Sequence, residues 1–87
     1  MKPNVMVINE KDNVAVAVTN IAQGEIVRAP GGESFTALDD IPYGHKVARR
    51  DIADGRDIIK YGESIGNAKG LLKKGEWIHV HNIQIEE

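Results

Sequence analysis

The chain has 87 residues, no cysteine and a formal net charge of −2. This length fits one domain, residues 1–87, with a modest core. The missing cysteines exclude a disulfide framework, a thiolate metal site and a cysteine nucleophile. The 11 Lys and Arg residues are interleaved with 13 Asp and Glu residues, so no basic stripe marks a nucleic-acid or membrane surface. Because the first apolar run, residues 5–8, is too short for a signal peptide or a membrane span, we expect a small cytoplasmic domain.

Short strands dominate the pattern, and no window shows the 3.6-residue periodicity of a helix. Residues 4–9 and 14–19 are predicted to be two strands joined by a turn at residues 10–13. In the second strand Val alternates with Ala, which puts small side chains on one face and permits close packing there. Further strands are predicted, in chain order, at residues 26–29, 34–38, 57–59 and 77–82.

A weak internal repeat supports a β-rich fold. The pattern Ile/Leu-x-x-Gly-x-x-Ile/Val occurs four times, at residues 21–27, 41–47, 52–58 and 72–78. Each copy is expected to anchor one apolar side chain, turn at a glycine with positive φ and enter a new strand. The spacing between copies is irregular, so the repeat does not indicate a solenoid.

The second copy differs from the others in the residues that follow its glycine. His45 and Lys46 follow Gly44, whereas ordinary solvated residues follow the other three glycines. An imidazole and an ammonium on a rigid turn can bind an anion, ligate a metal or transfer a proton. The alternative is that both are exposed turn residues without a chemical role.

Two more histidines lie in the predicted strand at residues 77–82. A period of two puts Trp77, His79 and His81 on one face, and two such imidazoles suit a metal such as Fe²⁺, Zn²⁺ or Mn²⁺. Further ligands would come from His45, a carboxylate or another chain. The apolar positions change phase near His81, which predicts a bulge or bend there. The alternative is a half-buried strand with two histidines on its polar face.

Lys60 and Tyr61 are a third candidate pair, directly after the strand predicted at residues 57–59. A lysine beside a tyrosine hydroxyl can hold a substrate carboxylate. Equally, Tyr61 can pack with its hydroxyl at the rim while Gly62 and Gly66 serve turns. The sequence has no Gly-rich phosphate loop, Ser-His-Asp order or helix-borne metal motif. It therefore has parts of a site but no complete catalytic set.

Five segments carry a family resemblance when they are read together. They are Asp12-Asn13-Val14-Ala15-Val16-Ala17, Ile41-Pro42-x-Gly44-His45-Lys46-Val47-Ala48, Asp51-Ile52-x-x-Gly55, Ile59-Lys60-Tyr61-Gly62-x-x-Ile65-Gly66-x-Ala68 and Gly75-Glu76-x-x-His79-x-His81-Asn82. In this order they resemble the N-terminal SAF domain of altronate and galactarate dehydratases. The resemblance runs from about residue 9 to residue 82 and is weakest over residues 23–38, which we expect to be a variable hairpin.

The resemblance implies a mainly β fold, the β-clip, with short bent strands and little helix in a single SAF domain. It also implies a role in hydro-lyases that remove water from sugar acids with a divalent metal, commonly Fe²⁺. In many members this domain is fused to a longer catalytic domain. Since this chain stops at Glu87, we expect the small subunit of a split enzyme, inactive alone, whose large subunit completes the metal site. An isolated small subunit is also expected to self-associate through the face meant for its partner.

The resemblance assigns roles to the candidate residues. Lys46 is expected to contact the substrate carboxylate, and His45 to be a metal ligand or a catalytic acid or base at the subunit interface. His79 and His81 would be further metal or substrate contacts. Lys60 and Tyr61 would be additional substrate-binding residues.

Two other functions stay open at this point. The alpha subunit of (2R)-sulfolactate sulfo-lyase is similar in its Gly-His-Lys and His-x-His-Asn motifs, and its reaction eliminates sulfite instead of water. SAF-type domains also occur as non-catalytic modules in antifreeze-like, sialic-acid-synthase and pilus- or flagellum-assembly proteins. The segments at residues 44–46 and 60–62 favour the dehydratase branch over such a module.

Overall fold

The computed structural model describes residues 2–85, and every regular element in that range is a short strand. This confirms the mainly β prediction. No helix within residues 2–85 has the length and apolar character that a membrane crossing requires. The strands are β1 (Val5–Met6), β2 (Val14–Ala17), β3 (Ile26–Arg28), β4 (Ser34–Thr36), β5 (Lys46–Ala48), β6 (Asp57–Lys60), β7 (Glu63–Ala68), β8 (Trp77–Ile78) and β9 (Ile83–Gln84).

The strands form three small antiparallel sheets. One sheet has the order β1-β2-β5-β8, the second is the hairpin β3-β4, and the third has the order β6-β7-β9. In the four-stranded sheet, Lys46 at the start of β5 lies between Val16 of β2 and Ile78 of β8. The β3-β4 hairpin occupies the segment at residues 23–38 that was predicted to be one.

Each of the four repeat copies forms a turn of the same type. In each, the N–H of the residue after glycine donates to the carbonyl three positions earlier, at 2.9–3.0 Å. The four glycines have φ between +80° and +93°, which is the conformation that a type II turn needs and that favours glycine. Each glycine N–H also donates, at 2.8–2.9 Å, to the carbonyl of a buried alanine: Ala37, Ala17, Ala68 and Ala48 in chain order of the copies. The turn-into-strand prediction is confirmed for all four copies.

The copies pair, and each pair builds one part of the core. Ile21 forms a β-bridge with Ile41, and Ile52 forms one with Leu72. All eight apolar positions of the pattern are at most 4% exposed. Those of the first two copies lie in one buried cluster and those of the last two in another. Strand β2 joins the clusters, because it contributes its alanines to the first and Val14 to the second.

The observed strands are shorter than several predicted ones. Strand β1 covers only two of residues 4–9, and β2 ends at Ala17 instead of residue 19. The predicted strand at residues 77–82 is wrong beyond Ile78, because residues 79–82 form a turn instead. Strand β7 (Glu63–Ala68) was not predicted from the sequence, because it contains a glycine in its interior, and such a glycine is typical of a turn.

Candidate functional site

His45 and Lys46 are held where the second repeat copy enters β5. The His45 N–H donates to Pro42 O at 3.0 Å, and the His45 carbonyl accepts from Ala17 N at 2.9 Å. Both side chains are half-buried. The backbone around them is therefore fixed on two sides, by the glycine turn and by the neighbouring strand. This geometry argues against two freely solvated turn residues.

Trp77 lies next to His45 across the β5-β8 pairing and connects the histidines. Its indole Nε1–H donates to His45 Nδ1 at 3.0 Å. The His79 ring stacks on the indole with centroids 5.1 Å apart, and it lies 4.8 Å from the His45 ring. The His81 ring is tilted against the indole at 5.0 Å. The structure thus brings all three histidines around one tryptophan.

Asn82 closes the turn that carries His79 and His81. The Asn82 side chain is buried; its Oδ1 accepts from the His79 N–H at 2.9 Å, and its Nδ2 donates to Trp77 O at 2.8 Å. The Asn82 N–H also donates to the His79 carbonyl at 3.1 Å. The predicted bend near His81 is therefore confirmed as a tight turn, and an asparagine side chain explains why the strand cannot continue.

Lys46, Lys60 and Tyr61 line one cleft of about 400 Å³ together with His79. A smaller cleft of about 110 Å³ adjoins it and is lined by His45, Lys46 and His79. The remaining walls are apolar, from Ile65, Ile78, Val80, Ile83 and Ile85. Two other clefts, of about 380 and 340 Å³, have no lysine or histidine in their walls. The larger cleft lined by Lys46 and Lys60 is therefore the candidate site because of the residues that line it, since the clefts have similar volumes.

Lys60 and Tyr61 lie at the tip of the β6-β7 hairpin, and the turn there determines their position. Tyr61 and Gly62 connect β6 to β7, and both have positive φ, 58° and 75°, as a type I′ hairpin turn requires. The buried Asp12 carboxylate holds this tip, because its Oδ1 accepts from the Gly62 N–H at 2.8 Å. Tyr61 itself is exposed and lies 4.9 Å, ring centroid to Nζ, from Lys60. Sequence reasoning missed Asp12 as a support of the site.

The two lysines of the cleft form no ion pair within residues 2–85. Burial, and then the nearby Lys60 ammonium, lower the pKa of Lys46 from its ordinary 10.5. Between residues 2 and 85 the only ion pair is Arg49 with Glu33, so neither lysine forms an ion pair with a carboxylate of that part of the chain. A bound anion would offset the shift, because an opposite charge favours the ammonium form. The arrangement is suited to a carboxylate ligand.

The chain by itself does not assemble a metal centre within the described range. No group of three or more His, Asp or Glu side chains among residues 2–85 is placed to hold a metal ion. The predicted placement of His79 and His81 side by side on one strand face is wrong, because residues 79–82 form a turn. Both residues are still exposed, and no hydrogen bond to either ring is present among residues 2–85, so each ring can act as a ligand. His45 fits less well, since its Nδ1 already accepts from Trp77. Sequence reasoning placed Trp77 on the histidine face and missed this contact.

Comparisons with known proteins agree with the motifs. Residues 3–86 match the family model described as the altronate/galactarate dehydratase SAF domain. Altronate dehydratase of Bacillus subtilis (strain 168) is 44% identical over 75 residues, which are 86% of this chain and 15% of that protein. Galactarate dehydratase (L-threo-forming) of Escherichia coli (strain K12) is 36% identical over 80 residues, 92% of this chain and 15% of that protein.

This chain also matches a shorter relative, and the match covers a larger share of that relative's length. The (2R)-sulfolactate sulfo-lyase subunit alpha of Paracoccus pantotrophus is 47% identical over 48 residues, which are 55% of this chain and 72% of that subunit. The chain therefore spans about 15% of the length of the dehydratases that it matches and most of the length of this subunit.

Proposed function

Because the chain belongs to the altronate/galactarate dehydratase SAF-domain family, we propose that it acts as one SAF domain and supplies the carboxylate-binding part of a sugar-acid dehydratase. In this proposal it is a small subunit, and a separate large subunit supplies the remaining catalytic groups. The observation that carries the proposal is the cleft in which Lys46 and Lys60 face one space without a carboxylate partner from residues 2–85. The cytoplasmic location stays a prediction.

The reaction explains why two ammonium groups are useful. A base takes the proton α to the carboxylate, the β carbon–oxygen bond breaks, and the leaving hydroxide gains a proton to become water. Negative charge builds on the carboxylate oxygens as an enediolate while the proton leaves, so cations fixed at those oxygens stabilise the transition state. Lys46 and Lys60 are proposed to hold the carboxylate, and Tyr61, which lines the same cleft, is proposed as a further hydrogen-bonding residue. The base is assigned to the large subunit.

A divalent metal, expected to be Fe²⁺, would act as a Lewis acid on the leaving hydroxyl. His79 and His81 are the residues of this chain that would hold it, because their rings are exposed and not engaged by residues 2–85. The large subunit would complete the ligand set, since no three ligands converge within the described residues of this chain.

A second function is favoured by one comparison. The sulfo-lyase alpha subunit is itself a separate, short polypeptide, and this chain matches 72% of it. We therefore keep, as the second proposal, an alpha-type subunit of an enzyme that removes sulfite from a sulfonated hydroxy acid. The same two lysines would hold the carboxylate in that reaction, so the site alone does not distinguish the two.

The test is reconstitution with a candidate large subunit and three substrates: altronate, galactarate and sulfolactate. We expect turnover only when both polypeptides are present. Lys46→Met should lower kcat/KM by about 10- to 100-fold, the loss of one charge-assisted hydrogen bond to a carboxylate. Lys73→Met is the matched control, because Lys73 is exposed and lines neither cleft.

Each result of the reconstitution assay supports or refutes one of the proposals. Full turnover by the large subunit alone would refute the subunit proposal. Equal activity of the Lys46 and Lys73 variants would refute the carboxylate site. Sulfite release with sulfolactate would select the second proposal, and an intact complex that is inactive on all three substrates would indicate a non-catalytic binding module.

A further inference from the structure

The contact between Trp77 and His45 determines which ring nitrogen of His45 holds a proton. The indole Nε1–H donates to His45 Nδ1 at 3.0 Å. An indole nitrogen is a donor only, so the nitrogen that it faces must keep its lone pair. A neutral His45 therefore has its hydrogen on Nε2. An imidazolium would put two N–H groups against each other at Nδ1.

Both partners of this hydrogen bond are fixed by their backbones. The Trp77 N–H donates to Asp39 Oδ2 at 3.0 Å, and the Trp77 carbonyl accepts from Asn82 Nδ2 at 2.8 Å. Trp77 also pairs with Val47 across β5 and β8. His45 is anchored by the glycine turn described above. The orientation of the imidazole is thus set by contacts that do not involve a ligand.

This arrangement is the reverse of the one that metal-binding histidines use. A ligating histidine gives its second N–H to a carboxylate, a carbonyl or water, which fixes the other nitrogen as the ligand. At His45 the second partner is a donor, so Nδ1 is the acceptor and Nε2 bears the hydrogen. The structure does not fit the earlier expectation that His45 is a metal ligand.

We propose that Trp77 is a positioning residue that holds His45 as a neutral Nε2–H hydrogen-bond donor to a substrate oxygen. The nitrogen left for a ligand is Nε2, and His45 lines the small cleft beside Lys46. In this role His45 neither takes nor gives a proton during the reaction; it stabilises negative charge on the oxygen that it contacts. The role in catalysis rests on the proposed function, whereas the tautomer does not.

The tautomer is tested on the chain alone by NMR. Long-range ¹H–¹⁵N correlations at pH about 8.5, where an imidazole is neutral, should show His45 with an unprotonated Nδ1 and a protonated Nε2. Trp77→Phe keeps an aromatic ring but removes the donor, and it should lower the ratio of Nε2–H to Nδ1–H by about fivefold, as expected for one net hydrogen bond. An Nδ1–H form in the wild type, or an unchanged ratio in the variant, would overturn the proposal.

Two measurements on the wild type do not depend on the variant folding. A through-hydrogen-bond ¹⁵N–¹⁵N coupling between Trp77 Nε1 and His45 Nδ1 should be observed, and its absence would contradict the contact. Zn²⁺ added alone should produce no coordination shift at either His45 nitrogen. A coordination shift at His45 would show that it is a ligand and overturn the assignment.

The catalytic role is tested separately in the reconstituted enzyme. His45→Gln keeps an N–H donor but no basic or metal-binding ring nitrogen, whereas His45→Leu keeps neither. We expect the Gln variant to retain at least about tenfold more kcat than the Leu variant, the effect of a hydrogen bond to a charged group. Equal loss in both would refute the donor role. If the complex has no lyase activity at all, the proposed function fails while the NMR result on the tautomer stands.

Discussion

Replacing Asn82 with alanine should unfold the turn that carries His79 and His81. The Asn82 side chain is 5% exposed and makes two short hydrogen bonds to backbone groups, to the His79 N–H at 2.9 Å and to Trp77 O at 2.8 Å. Each such bond contributes about 1 kcal/mol net, and a buried backbone group that loses its partner costs about 1–3 kcal/mol. We therefore expect the free energy of unfolding to fall by about 2–4 kcal/mol.

That loss is large for a domain of this size. At about 0.05–0.15 kcal/mol per residue, the whole fold is stabilised by roughly 4–13 kcal/mol. With a urea m-value of about 1 kcal/mol/M, the unfolding midpoint should fall by about 2–4 M. The assay is urea unfolding followed by fluorescence, because Trp77 is the sole tryptophan of the chain and lies beside the altered turn.

Asn67→Ala is the matched control. The Asn67 amide also donates two hydrogen bonds, to Gly55 O at 3.0 Å and to Asp57 Oδ1 at 3.2 Å, but both are exposed. Water replaces exposed partners, so this variant should lose less than about 1 kcal/mol. If Asn82→Ala costs no more than Asn67→Ala, the side chain does not organise the turn, and the reasoning from burial is wrong.

Two further predictions concern the cleft and the repeat turns. Burial and then Lys60 lower the pKa of Lys46 from 10.5, so carboxylate binding should weaken as pH rises through that lowered value. Calorimetry should show a steeper loss of binding with pH in the wild type than in Lys46→Met, which retains only Lys60; equal pH dependence would contradict the role of Lys46. Gly24→Ala should lower the free energy of unfolding by about 1–2 kcal/mol, because alanine must adopt a left-handed backbone conformation there. No atom lies close enough to clash with its Cβ. Gly75→Ala should lower the free energy of unfolding, measured with urea, by at least twice as much, because its Cβ would clash with the Thr36 carbonyl oxygen; similar costs for both variants would contradict the clash.

The repeat turns could be predicted from the sequence because their information is local. A glycine at positive φ and apolar residues three positions on either side determine each turn, and the bonds that close it span three residues. The pairing of the copies could not be predicted in this way. Ile21 meets Ile41, and Ile52 meets Leu72, through contacts that no spacing rule specifies.

The end of β8 shows why periodicity failed in one place. Alternating Trp77, His79 and His81 fit a strand as well as they fit the observed turn. The deciding group is the Asn82 side chain, whose hydrogen bond to the His79 N–H replaces a strand ladder bond. An apolar pattern contains no signal for such a side-chain contact. Only the change of phase near His81 indicated that the strand did not continue.

The location of the candidate site follows from the way the two halves meet. The first two repeat copies build one core cluster and the last two build the other. Strand β5 from the second copy pairs with β8 from the fourth, with Lys46 opposite Ile78 and Val47 opposite Trp77. This pairing brings His45 within hydrogen-bonding distance of Trp77, 32 residues away in sequence. The strand of the second copy, which has His45 and Lys46 after its glycine, thus adjoins the strand of the fourth copy, which begins at Trp77, so the histidines and Lys46 gather at the junction of the halves.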